Sequence, residues 1–116
     1  MRSWMKSLTE HILAFRDERD WKQFHNPKDL ALSLSLEAAE VLEVFQWKSG
    51  AEVDAVCHDR KADLSDELAD VLYYTLLMAH DLGIDLEGAL LAKLAKNAEK
   101  YPIEKARGSS KKYTEL

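Results

Sequence analysis

Two pairs of acidic residues occur where acids are costly. Glu37 and Glu40 are three residues apart in a stretch that runs Leu30, Leu32, Leu34, Leu36, Ala38, Val41, Leu42, Val44 and Phe45. Glu67 and Asp70 repeat the spacing in a second stretch, among Leu64, Leu68, Val71, Leu72, Leu76 and Leu77. On a helix, residues three apart share a face, so each pair points one way, and it points in apolar company. Ordinary surface acids would pair with Lys or Arg one turn on, but positions 41, 44 and 71 are Val and 74 is Tyr. An unpaired buried carboxylate costs several kcal/mol or takes up a proton. Four together repel one another and raise one another's pKa. A divalent cation removes the conflict. An all-oxygen cage suits a hard ion, Mg²⁺ first and Mn²⁺ second. The intervening residues 41–66 are enough to end one helix and return on an antiparallel neighbour, so the two pairs can face each other.

Other metal chemistries fail on spacing. A di-iron carboxylate bundle needs Glu-x-x-His on two helices, and none of His11, His25, His58 and His80 lies three residues after a Glu. Zinc favours His and Cys. The histidines read as surface or capping residues.

The elements that must position these acids are helical. With 4 Gly and 2 Pro in 116 residues there is little turn chemistry for a sandwich or barrel. Helical spacing predicts a first helix over about Met5–Arg19, with Leu8, Ile12 and Phe15 on its apolar face. Asp20 to Pro27 breaks the pattern, and its Trp21 and Phe24 are suited to plugging the end of a bundle. A second helix is expected over about Lys28–Trp47, apolar all round and therefore buried by a central position or a partner subunit. Ser49-Gly50 ends it, and residues 51–58 read as a short helix or an irregular turn. A third helix over about Arg60–Leu82 stops at Gly83. A fourth, capped by Asp85, runs over about Leu86–Lys100 with a Leu90, Leu91, Leu94 stripe. Residues 103–116 form a polar, basic tail that orders on binding or crosses to another subunit. The expected fold is an all-α, four-helix bundle-like protomer, one domain over residues 1–116.

Composition sets further bounds. Hydrophobic residues make up 47% and charged residues 32%, the balance of a globular chain. The longest largely apolar stretch, Val71 to Ala79, is far short of the ~20 residues of a membrane span, and residues 1 onward lack the order of a signal peptide. One cysteine, Cys57, fits a reducing cytoplasm. The net charge of −5 argues against a nucleic-acid polymer as partner. It is unevenly spread: residues 1–92 hold 9 basic and 18 acidic side chains, residues 93–116 hold 7 and 3. An acidic body with a basic tail suggests two tasks, the tail being suited to phosphates. Helices two and three carry more apolar surface than one 13.3 kDa bundle can cover, so a homodimer or a dimer of dimers is expected.

Glu37-x-x-Glu40 followed by Glu67-x-x-Asp70 resembles the signature of the MazG-like, all-α nucleoside triphosphate pyrophosphohydrolases. Arg19-Asp-Trp-Lys-Gln-Phe-His25, Glu43-Val-Phe-Gln-Trp-Lys48 and the Lys100-Tyr-Pro…Arg107-Gly-Ser…Lys112-Tyr-Thr tail are similar to the dCTP pyrophosphatase branch. The resemblance implies Mg²⁺-dependent cleavage between the α and β phosphates of a nucleoside triphosphate, to a monophosphate and pyrophosphate. By position, Glu37, Glu40, Glu67 and Asp70 would hold the magnesium, and Trp21 and Trp47 would flank the base. Tyr74 would line the pocket near sugar or phosphate. Asn97 would hydrogen-bond base or sugar, with Tyr101 nearby, and Lys93, Lys96 and Lys100 are basic positions for the phosphates. Relatives in this branch can carry a pocket histidine where this chain has Ile12, with His11 beside it. Either Glu37 or Glu40 would activate the attacking water. The alternatives are a non-enzymatic helical interaction protein, or a superfamily relative acting on dUTP or phosphoribosyl-ATP.

Overall fold

The computed structural model describes residues 3–116. It is all-helical among those residues: α1 (Trp4–Glu18), α2 (Pro27–Glu43), α3 (Ala51–Asp59), α4 (Lys61–Asp81), α5 (Leu86–Lys100) and the short α6 (Ile103–Ala106), with 3-10 turns at Lys22–Phe24 and Tyr113–Glu115. The chain forms two compact units, residues 1–83 and 84–116. Among the described residues no helix is long and apolar enough to cross a membrane.

In the first unit α4 is the central strut. α2 packs along it more extensively than any other pair of elements, and α1 and α3 also lean on it. Leu30, Val44, Val56, Leu76, Leu77 and Ala79 form the buried core. The helix ends follow from local chemistry. Asn26 caps α2, its Oδ1 accepting from the Asp29 N–H at 2.9 Å, and Pro27 takes the first helical position, where no N–H is needed. α1 ends in a Schellman turn. The Asp20 N–H bonds Asp17 O and the Trp21 N–H bonds Arg16 O, with Asp20 left-handed at φ 53°. The apolar contact that goes with this turn is Trp21 edge-on to Phe15, 5.7 Å between ring centroids.

Two sequence expectations change, and the readings of residues 51–58 and of the tail become specific. α2 stops at Glu43 and unwinds through i→i+3 turns to Trp47, which sits at φ 66°. Residues 51–59 are a true helix, started by Gly50 at φ 57°. Trp21 and Phe24 plug nothing: both are exposed, Phe24 the more so. The basic tail is ordered within its own unit, where Tyr113 stacks edge-on to Tyr101 at 5.9 Å and Lys100 Nζ lies 4.9 Å over the Tyr113 ring. The leucines of α2 also divide. Leu30 is buried, whereas Leu32, Leu36 and Leu42 are more than half exposed, as are Leu90, Leu91 and Leu94 of α5.

One buried charge was not legible in the pattern. Arg16 reads as a polar interruption of α1, yet it is 1% exposed. Its guanidinium forks onto Asp81 at the end of α4, Nη1 to Oδ2 at 2.7 Å and Nη2 to Oδ1 at 2.9 Å. Nη1 also lies 3.4 Å from His25 Nδ1. Because a guanidinium only donates, that nitrogen must accept and the ring is neutral. Burial and then the neighbouring Arg16 hold the His25 pKa below its ordinary value. The pair fixes α1 against α4 and the turn after α1 against both. Removing one partner of such a pair leaves a buried charge uncompensated, so Asp81→Ala should lower unfolding stability by roughly 3–5 kcal/mol. Urea denaturation near neutral pH measures this, and a loss within experimental error would refute the anchoring role.

Candidate active site

The antiparallel return from α2 to α4 brings the two acidic pairs together. Glu37, Glu40, Glu67 and Asp70 each offer a carboxylate oxygen, and these four atoms lie within 4.8 Å of one another. Glu37 Oε2 and Glu67 Oε2 are buried and have no hydrogen-bond partner. Such orphaned acceptors carry a desolvation penalty, and here both sit in the one place where a cation would satisfy them. The crowding raises pKa values, the direction expected for like charges. Burial first, then hydrogen bonding to Glu40, raises the Glu37 pKa. Hydrogen bonding to Glu40, burial and the surrounding carboxylates push Glu67 up to about 7. The donor set is all oxygen and anionic, and it fits a divalent hard cation.

The quartet borders two cavities of opposite character. The first, of about 410 Å³, is aromatic and takes Glu37 and Asp70 as its acidic wall, with Ile12, Phe15, Trp21 and Tyr74 among its other sides. Its volume lies in the range of small-molecule sites. Phe15, Trp21, Tyr73 and Tyr74 form a chain of edge-on rings, Tyr73 and Tyr74 having centroids 4.9 Å apart. The Arg19 guanidinium lies 3.8 Å over the Phe15 ring and secures it from outside. The second cavity, of about 480 Å³, is polar, with Glu40, Glu67, Gln46 and Arg60 on its walls.

The expected residues fall into three groups. The four acids, Trp21 and Tyr74 come together in the first unit. Trp47 does not line the aromatic cavity and is 90% exposed. Its left-handed backbone is costly for a bulky side chain, roughly 1–2 kcal/mol, a strain characteristic of functional positions. Lys93, Lys96, Asn97 and Lys100 lie on α5 and Tyr101 just after it, all in the second unit, with Asn97 half-buried. Phe15 and Tyr73 were not singled out as site residues from the sequence. Tyr73 could have been, since it lies three residues after Asp70 and so on its face. His11 and Ile12 both line the cavity.

Fold and site together define an all-α protein in which a carboxylate cage for a hard cation adjoins an aromatic pocket of small-molecule size. A model of the MazG-like family matches residues 32–116, and the chain belongs to that family. It is 44% identical over 104 residues to dCTP pyrophosphatase 1 of Rattus norvegicus and, equally, to that of Homo sapiens, covering 88% of this chain and 61% of each relative. The chain thus spans about three fifths of the length of these relatives. The crystal structure of a pyrophosphatase from Archaeoglobus fulgidus superposes with a TM-score of 0.83 at 41% identity, covering 88% of this chain and 95% of the other.

The raised pKa values have a sign that can be measured. A carboxyl whose pKa is higher folded than unfolded binds protons more tightly in the native state. Its contribution is therefore favourable at low pH and is lost as pH rises. For Glu67 the window runs from the ordinary 4.5 to about 7. Asp81, held below the ordinary carboxylate range by Arg16, acts in the opposite direction and below that window. With chelator present, the Glu67 contribution should lower the melting temperature between about pH 4.5 and about pH 7, opposed by His25, whose lowered pKa favours the fold as pH rises toward 6.5. Glu67→Gln should flatten that slope, and a divalent cation should raise the melting temperature more at the upper pH. A slope unchanged by Glu67→Gln would refute the coupled-cluster account.

Proposed function

We propose that this protein is a Mg²⁺-dependent nucleoside triphosphate pyrophosphohydrolase that cleaves the α–β bond of dCTP or a related deoxynucleotide, in nucleotide-pool house-cleaning. The observation that carries the reading is four carboxylates within 4.8 Å of one another, two of which, Glu37 and Asp70, line an aromatic cavity. The family membership and the likeness to dCTP pyrophosphatase 1 support it.

In this reading Glu37, Glu40, Glu67 and Asp70 hold magnesium, whose chemistry when bound is to neutralise charge on the phosphate oxygens. Trp21 stacks on the base, an interaction worth roughly 1–3 kcal/mol in nucleic-acid sites and tolerant of base identity. Discrimination must then come from hydrogen bonds and pocket size, with His11 and Ile12 on the cavity wall and Asn97 as a polar donor and acceptor. Tyr74 lines the sugar or phosphate end. Glu37 or Glu40 takes the proton of the attacking water as its oxygen bonds to phosphorus, and the α–β bridge breaks to release pyrophosphate. By the resemblance, Lys93, Lys96 and Lys100 serve the phosphates and Tyr101 lines the pocket, within a 1–116 chain read as one nucleotide pyrophosphohydrolase domain. The exposed leucines of α2 and α5 are covered in a homodimer or dimer of dimers, where Trp47 also flanks the base. The partner is a small molecule, with neither a nucleic-acid polymer nor a membrane, and free Cys57 suits a cytoplasmic setting.

Pyrophosphate release should appear on a panel of common ribo- and deoxyribonucleoside triphosphates with Mg²⁺ and vanish with chelator. The preferred base on that panel separates dCTP from dUTP. Glu40→Ala should reduce turnover by more than the roughly 10–100-fold expected for an outer-shell partner. Near-normal turnover in that variant would sink the site assignment. A non-enzymatic interaction protein would show neither release nor a thermal shift with Mg²⁺ and a non-hydrolysable triphosphate.

A further inference from the structure

The carboxylate quartet has two sides, and the aromatic cavity accounts for only one. Glu37 and Asp70 line that cavity, whereas Glu40 and Glu67 line the polar one, together with Glu43, Gln46 and Arg60. A nucleotide whose base occupies the aromatic side must run its phosphate chain past the quartet, so the phosphates beyond the scissile bond fall on the polar side. That chamber is otherwise wrong for an anion. Three of its lining side chains are carboxylates and one is an amide; the only cation on its wall is Arg60.

We propose that Arg60 is a phosphate-binding residue, which grips the terminal phosphates of the substrate and holds pyrophosphate until it leaves. This rests on the pyrophosphohydrolase reading above and adds to it a specific recognition element for the leaving group. Arg60 is the residue from which α4 starts. It lies seven positions before Glu67, about 10 Å of helix rise, and its side chain lines the chamber together with those acids. Its described hydrogen bond uses Nε alone, donating to Asp63 Oδ2 at 2.9 Å. That pair is about half exposed on both sides, and exposed pairs of this kind contribute little and exchange readily. The guanidinium fork suits two phosphate oxygens at once in a way that a lysine ammonium does not. A triphosphate is thereby distinguished from a monophosphate, which would leave the polar chamber and Arg60 unfilled.

The test compares wild type, Arg60→Ala and Arg60→Lys by calorimetric titration with inorganic pyrophosphate in Mg²⁺, and by steady-state kinetics. Arg60→Ala should weaken pyrophosphate binding about tenfold and raise the KM for triphosphate by a similar factor. Affinity for the nucleoside monophosphate should be unchanged, and Arg60→Lys should recover part of the loss. A purely structural role would weaken monophosphate and pyrophosphate alike, which would overturn the proposal. So would wild-type affinity for pyrophosphate in Arg60→Ala, or no measurable pyrophosphate binding by the wild type. If the wild type releases no pyrophosphate from any triphosphate, the hydrolase reading fails separately, and the titration still decides the role of Arg60.

Discussion

Four carboxylates crowded onto one seam repel one another, and the first unit is organised around tolerating that repulsion. Burial of Leu30 and Val44 of the α2 segment and of Leu76 and Leu77 of α4, along the most extensive helix contact in the unit, holds the seam closed against it. Burial of this kind contributes roughly 1.5–3 kcal/mol per large side chain, enough in aggregate to force charges into proximity that they would not choose. Part of the cost shows in the raised pKa values of Glu37 and Glu67, whose charged forms the burial and the neighbouring carboxylates disfavour. The remainder persists as two buried oxygens with no partner. A cation bound there would offset that cost.

The aromatic cavity depends on a second buried charge. Arg16 lies between Phe15 and the turn that presents Trp21, and its fork on Asp81 sets the position of α1 along α4. Phe15, Trp21 and Ile12 are carried with it. The ion pair need not add net stability over an apolar pair of the same shape. What it supplies is register, because a bidentate guanidinium–carboxylate contact is satisfied in one geometry only. The Schellman turn completes the arrangement by directing the Trp21 ring back onto Phe15.

Much of this was legible beforehand, for physical reasons that are local. Helical class, the cap at Asp85, the stop at Gly83 and the acidic pairs all follow from spacing and single-residue chemistry within a turn or two. The expectation that the pairs meet also held, because a short return between two apolar helices leaves few alternatives. The expectation that helix two would be buried all round did not hold within the chain. Periodicity measures how much apolar surface exists, not what covers it, and Leu32, Leu36 and Leu42 stay exposed. The end of α2 was misplaced by four residues because Val44 to Trp47 are apolar enough to continue a helix. Only the backbone reversal at Trp47 shows that they do not.

The sequence by itself determined the inventory: an all-α chain, four misplaced acids paired at helical spacing, Trp21 in a turn and a basic segment after residue 92. These are properties of neighbouring residues, and neighbours are fixed by covalent order. Tertiary structure decided which of them share a space. It divided the quartet between an aromatic and a polar chamber, buried Arg16 against an aspartate 65 residues away, and set Arg60 on the wall beside Glu40 and Glu67. Contacts of that range depend on how one helix seats against another, and no local pattern encodes them.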